Sequence, residues 1–320
     1  MSIVQQRTIK NTIHCRGVGL HSGVKTSLIL HPAPPDSGIH FRRTDASGGG
    51  AEIAASWRNA VESALCTTLS NGEGITIGTV EHLMAALAGA EIDNVLVELD
   101  GPEVPIMDGS AAAFVAAIDQ AGIVGQQAAR RFIQVLRPVQ VAMGDCFGEL
   151  RPHAAGFRAE VEIDFANPVI GRQKYTLDLS PERFRREISR ARTFGCMNDS
   201  ARLWSAGFSL GASFENTVVF DDTRLLNPEG LRYSDECARH KVLDVVGDLA
   251  LAGLPLLGAY RSVRGGHKLN HAVLTALMAD RSAWRVAEAA EVARRSRAPA
   301  EAGRGMAGGM IAPAYGPDVS

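Results

Sequence analysis

Cysteine is sparse in this chain and its spacing pairs nothing. Cys15, Cys66, Cys146, Cys196 and Cys237 are odd in number, scattered, and free of any Cys-x-x-Cys. That excludes a disulfide framework and a cysteine zinc site, and it fits a reducing cytosol. An excess of one charge is also lacking: 33 Lys and Arg stand against 35 Asp and Glu, a formal net charge of -2. The charges are interspersed, so the electrostatic footprint of a nucleic-acid-binding protein is missing. No apolar run is long enough for a bilayer. The longest, residues 249–260, is broken by Gly253 and Pro255 and falls short of the ~20 residues a span needs. Residues 1–7 have neither the basic start nor the apolar core of a secretory signal. The expectation is a cytoplasmic protein with no membrane span and no nucleic-acid partner, which could still touch a membrane surface.

What is present points to a globular protein: 320 residues, 46% hydrophobic and 21% charged, more than one ordinary core. The chain reads as strand-rich segments at 8–13 and 24–30, then a helix from Thr79, as cap, to Gly89. A strand follows at 94–99 and a helix at 110–121. The polar run 125–131 reads as a linker. Strands then fill 132–165, Ser180-Pro181 opens a short helix, and 194–214 reads as an insertion. A helix from about Ser234, a strand at 256–260, a glycine loop Arg264–His267 and a helix at 270–278 close the pattern. The two halves share this order of elements. The expected class is α+β: two similar domains, 1–125 and 131–285, each a sheet layered with helices, and a flexible tail over 286–320.

The stretch 235–249 places His240, Asp244 and Asp248 four residues apart, on one face of a helix. Val242, Leu243, Val245, Val246 and Leu249 take the opposite face. A polar face alone more often marks a solvated helix. Glu81-His82 holds the corresponding place in the first half, and it is not the HExxH zinc signature. Brought together between two domains, however, His82, His240 and Asp244 make a His, His, carboxylate set with one position open, the catalytic arrangement for zinc. In that setting Glu81 could take the proton of a metal-activated water. His267, on its Gly-Gly loop, could protonate a leaving amine, with Asp248 to hold its ring and Thr193 to face an oxyanion.

These residues lie in stretches that resemble one family. They are Gly17-Val-Gly-Leu-His-Ser-Gly23, Thr79-Val-Glu-His-Leu83, Ile92-Asp-Asn-Val95 and Pro105-Ile-Met-Asp-Gly-Ser-Ala111. Ser189-Arg-Ala-Arg-Thr-Phe-Gly195, Arg239-His-Lys-Val-Leu-Asp-Val-Val-Gly-Asp248 and Gly266-His267 continue the series. Over roughly residues 3–285 the chain resembles the UDP-3-O-acyl-N-acetylglucosamine deacetylases, the zinc amidases of lipid A biosynthesis in Gram-negative bacteria. The resemblance implies two similar α+β domains with the site at their interface. It implies Zn2+ on His82, His240 and Asp244, a set that Fe2+ also suits. It gives Glu81 as base, His267 as acid, Asp248 as the partner of His267, and Thr193 as oxyanion donor. Lys241 resembles a substrate-binding lysine, and Phe165 a residue stacking on uracil. The insertion from Phe194, with Cys196, Trp204 and Phe208, resembles a tunnel for a fatty acyl chain. Cys66 resembles a cysteine near the metal that is not an essential ligand. The implied reaction removes the N-acetyl group of UDP-3-O-(3-hydroxyacyl)-N-acetylglucosamine, giving the free amine and acetate. Two competitors stay in view: a zinc amidase for another N-acetylated sugar, and a non-catalytic binding module.

Overall fold

Alternation along the backbone sets the strands. Val95–Leu99 alternates buried and half-buried side chains, so it presents one face to a core. The computed structural model describes residues 5–46, 52–61, 63 and 65–291. In it Val95–Leu99 is the middle strand of a five-stranded sheet, flanked by Lys25–Pro32 and Ile39–Arg43, with Ile13–Val18 and Glu52–Ala54 at the edges. Helices α1 (Glu81–Gly89) and α2 (Ala112–Ala121) bracket that strand in sequence.

The second half is organised around Leu256–Val263 in a seven-stranded sheet. This strand pairs antiparallel with Cys146–Arg151 and parallel with Phe157–Asp164. Its helices are α3 (Pro181–Arg183), α4 (Ser200–Ser205), α5 (Glu236–Ala250) and α6 (His267–Ala279). Ser180 caps α3 as expected, its Oγ accepting the Arg183 N–H at 3.2 Å. Both halves therefore run helix, strand, helix, and the class is α+β.

What positions the site is the direct packing of α1 on α5. Gly247 allows it, since a Cβ there would lie 2.0 Å from the Glu81 carbonyl oxygen. The polar face of α5 is consequently not solvated: His240, Asp244 and Asp248 are as buried as Val242 and Leu249. Helix α1 is buried on nearly every side, as its short apolar sequence demands.

Several expectations are corrected. Thr79 does not cap α1: it sits at φ +56°, and its hydroxyl donates to Glu103 Oε1 at 2.7 Å instead of accepting from the helix. Gly89 does end α1, as expected, and it also marks a close approach, because a Cβ there would meet the Phe184 ring at 2.3 Å. The expected linker at 125–131 is strand. Ile123–Ala129 pairs antiparallel with Gln5–Ile9, and Arg131–Val135 follows at once. Within it Gln126 is engaged, accepting from Asn94 Nδ2 and donating to the Ala33 carbonyl, while Gln127 is exposed. His267 is not on a loop but is the first residue of α6, which begins earlier than Asn270. The tail assigned to 286–320 starts too early, since Trp284–Glu288 pairs with Arg131–Val135 and buries Ala287. Residues 292–320 lie outside the described residues. No helix among the described residues is long and apolar enough to cross a membrane.

The contact at Gly247 yields a test. Gly247→Ala must push α1 and α5 apart, so it should lower stability by about 1–3 kcal/mol. The urea midpoint should fall with an unchanged slope. An unchanged midpoint would mean that this contact does not constrain the helices.

Candidate metal centre

Asp244 is the middle of the site. Its side chain is enclosed between α1 and α5, with Oδ1 at 3.3 Å from His240 Nε2 and 3.7 Å from His82 Nε2. The two imidazoles meet edge to face at 5.0 Å between centroids. Burial pushes the His82 ring down to about 3, with His240 repelling its charge, and burial lowers His240 as well. Both rings are therefore neutral at neutral pH. Burial opposes ionisation of Asp244, but the charged Lys241 and His267 beside it outweigh burial and hold the carboxyl well below its usual range.

The result is an ionised oxygen facing two neutral rings. Asp244 Oδ1 and His82 Nδ1 are buried with no hydrogen-bond partner among the described residues. An orphaned buried carboxylate oxygen is costly unless a cation faces it. His240 donates Nδ1–H to the Ala191 carbonyl at 3.0 Å, which leaves the Nε2 lone pair toward Asp244. His82, His240 and Asp244 bring ligand atoms within 4.8 Å of one another. Two imidazoles and a carboxylate suit zinc or ferrous iron, so the residues fit a metal.

Glu81 and His267 lie beside this set. Glu81, turned about 100° from His82 around α1, is raised well above the usual carboxyl range by burial, with His267 partly opposing. His267 Nε2 lies 3.7 Å from Glu81 Oε1 and 3.8 Å from Asp244 Oδ2. Its Nδ1 is 2.9 Å from Asp248 Oδ2. Burial works against the charge on His267, but Asp248, Glu81 and Asp244 push it up to about 10.

Sequence reasoning passed over the residues that hold these groups. Thr67 donates its N–H to Glu81 Oε2 at 3.0 Å and its hydroxyl to Asp248 Oδ1 at 2.5 Å. Asn270 donates to Asp248 Oδ2 at 2.8 Å and accepts from the Tyr260 hydroxyl at 2.7 Å. Thr67 adjoins Cys66 in sequence, which was the one available hint. Buried Cys66 contacts Ser63 and Thr68 hydroxyls at 3.5 and 3.6 Å.

Lys241 and Phe194 form the next layer. Lys241 Nζ donates to Asp244 Oδ2 at 3.0 Å and lies 5.6 Å from the Phe194 ring centre. Phe194 packs edge-on to His240 at 6.2 Å and to Phe165 at 5.4 Å. Phe165 is 38% exposed, so its ring is open to a ligand. Thr193 is fixed through its backbone, its N–H donating to Gly109. The neighbouring Arg192, buried, pairs with buried Glu236 at 2.9 Å. In the insertion Trp204 is exposed, while Phe208 meets His21 edge-on at 5.7 Å. Glu103 anchors the glycine loop before it, accepting from the His21 and Ser22 N–H groups, the Ser22 hydroxyl and Thr79. Gly19 leaves room for that carboxylate: a Cβ would lie 2.3 Å from Glu103 Oε2.

Comparisons with known proteins agree on one family. Residues 6–279 match the family model described as UDP-3-O-acyl N-acetylglycosamine deacetylase. Proteins named UDP-3-O-acyl-N-acetylglucosamine deacetylase from Brucella melitensis biotype 2 and from Brucella ovis are each 50% identical over 285 residues. Those alignments span 89% of this chain and 99% of each relative.

Thr67 makes the support around the two carboxylates testable. Thr67→Val leaves buried Asp248 short of a donor and should cost about 1–3 kcal/mol in stability. Urea denaturation with and without metal reads this loss. An unaltered midpoint in both would show that the hydroxyl is dispensable.

Proposed function

The chain belongs to the UDP-3-O-acyl-N-acetylglucosamine deacetylase family, and from that premise we propose the reaction it catalyses. It is a metal-dependent hydrolase that removes the N-acetyl group from UDP-3-O-(3-hydroxyacyl)-N-acetylglucosamine, in the committed step of lipid A biosynthesis. The observation that carries the reading is the unpartnered Asp244 oxygen facing neutral His82 and His240. The site is taken to lie between two domains, with α1 from the first and α5 and α6 from the second. All five cysteines are free, which agrees with a cytoplasmic setting.

In this mechanism His82, His240 and Asp244 hold the metal. Zinc bound there supplies Lewis acidity and a water ionised near neutral pH. Glu81 takes the proton of the attacking water on the carboxylate that Thr67 holds. His267, kept protonated by Asp248 and aimed by the 2.9 Å contact at Nδ1, delivers a proton from Nε2 to the departing amine. Thr193 is assigned to the oxyanion. Lys241 and the Phe194–Phe165 wall take the sugar nucleotide, with uracil on the exposed face of Phe165. The insertion 194–214 takes the acyl chain, and Cys66 backs the metal without binding it.

Metal analysis beside deacetylation assays with substrates of several acyl lengths tests the reading and identifies the native metal. Loss of activity without UDP or without the acyl chain supports it. Equal turnover of a bare N-acetylated sugar would point to the other amidase. Glu81→Ala and His267→Ala should keep the metal and lower kcat by roughly 10²–10⁴-fold, while Asp244→Ala should lose it. Full occupancy in Asp244→Ala would overturn the ligand assignment.

The kcat/KM profile should be bell-shaped. The base works only ionised, so activity falls as pH drops through the raised Glu81 value. The acid works only protonated, so activity falls as pH rises through His267, at about 10 before the metal's charge pulls it lower. A flat profile between about pH 5 and 10 would contradict this pairing.

A further inference from the structure

Behind the metal site is a second cavity that the reaction does not use. It has a volume of about 320 Å³ and lies between the same two helices. Met84 and Ala88 of α1, Val246 and Leu249 of α5, and Leu254 and Phe157 form its apolar walls. At 100° per residue, Met84 and Ala88 point roughly 200–240° from His82, and Val246 and Leu249 roughly 140–200° from Asp244. The cavity therefore faces away from the metal. The two arginines of its lining are already paired, while the buried His40 Nδ1 has no hydrogen-bond partner among the described residues. Arg130 pairs with Asp93 at 2.9 Å and Glu91 at 3.2 Å, and Arg131 pairs with Asp36 at 2.9 Å. A rim with its charges paired and an interior of Met, Val, Leu and Phe favours an uncharged apolar occupant.

The last described residues arrive at this rim. Trp284–Glu288 runs antiparallel to Arg131–Val135 and brings Glu288 opposite Arg131. The next residue, Ala289, is buried and donates its N–H to the Arg130 carbonyl at 2.9 Å. Arg130 and Arg131 both line the cavity. The sequence continues for 29 residues beyond Glu291 and contains Met306, Met310, Ile311 and Tyr315, spaced by Gly, Ala and Pro. The fifteen residues from 291 to 306 reach up to about 50 Å when extended, ample to cross the cleft. Methionine fills irregular apolar gaps readily, and small neighbours let a backbone lie close to a wall.

We propose that the segment 306–315 docks in this cleft, with its Met, Ile and Tyr side chains between the backs of α1 and α5. The chain's end then acts as a clip. It holds together the two helices that carry the metal ligands, from the side opposite the metal.

The test uses the full chain with photoreactive benzoylphenylalanine in place of Tyr315. Irradiation should link position 315 within one chain to residues 84–92 or 246–257, as read by peptide mapping. Ala88→Trp, which fills the cleft, should abolish that link. Amide exchange provides a second measurement. Against a chain ending at Glu291, the full chain should protect residues 254–257 at least roughly tenfold. Links only between two chains, links only elsewhere, or exchange identical in the two lengths would overturn the proposal.

Discussion

The burial of one negative charge organises this molecule. Asp244 sits where α1 meets α5, and His82, His240, Lys241 and His267 all converge on it. An isolated carboxylate in such a place would protonate or pull in water. Here the surrounding groups keep it ionised, and one of its oxygens is left for a cation. The close approach at Gly247 brings those groups together, because it lets helices from the two halves of the chain share one polar core. Fold and site are thus the same packing problem, solved once.

A second layer separates two chemical roles within a few ångströms. Glu81 and His267 are both pushed upward, for different reasons: burial first for the carboxyl, with Cys66, Asp248 and Asp244 adding to it, and three neighbouring carboxylates, against burial, for the imidazole. In the proposed mechanism the same shift makes Glu81 a stronger base and keeps His267 an acid at neutral pH. Thr67 touches both arms, binding Glu81 through its backbone and Asp248 through its hydroxyl. Glu81 and Asp248 are consequently referenced to one residue rather than to two independent elements.

The periodic parts were legible from residues alone. The four-residue spacing of His240, Asp244 and Asp248 marked one face of a helix, and alternation marked Val95–Leu99. Whether that helical face met solvent or another helix could not be read from spacing, since the answer lies in a glycine contact with residue 81, far away in the chain. Thr67 and Asn270 escaped notice because a threonine in a short strand and an asparagine inside a helix carry no motif of their own. The run 125–131 looked like a linker because its side chains are polar and small. Its pairing with Gln5–Ile9 depends on a partner more than 110 residues away. Thr79 misled through local rules: a threonine before a helix is normally a cap, and here a remote carboxylate claims its hydroxyl.

That same carboxylate changes how the glycine-rich loop near the site should be understood. Glycines 17, 19 and 23 suggest a hinge or a lid. Gly19 instead lacks a side chain because Glu103 occupies the space, and Glu103 simultaneously grips His21, Ser22 and Thr79. The loop is bolted to the residue that precedes α1. Its position is inherited from the helix bearing Glu81 and His82, so the loop is a fixed wall. The same fixed wall extends into residues 194–214, because the Leu210 and Gly211 N–H groups donate to the His21 and Leu20 carbonyls.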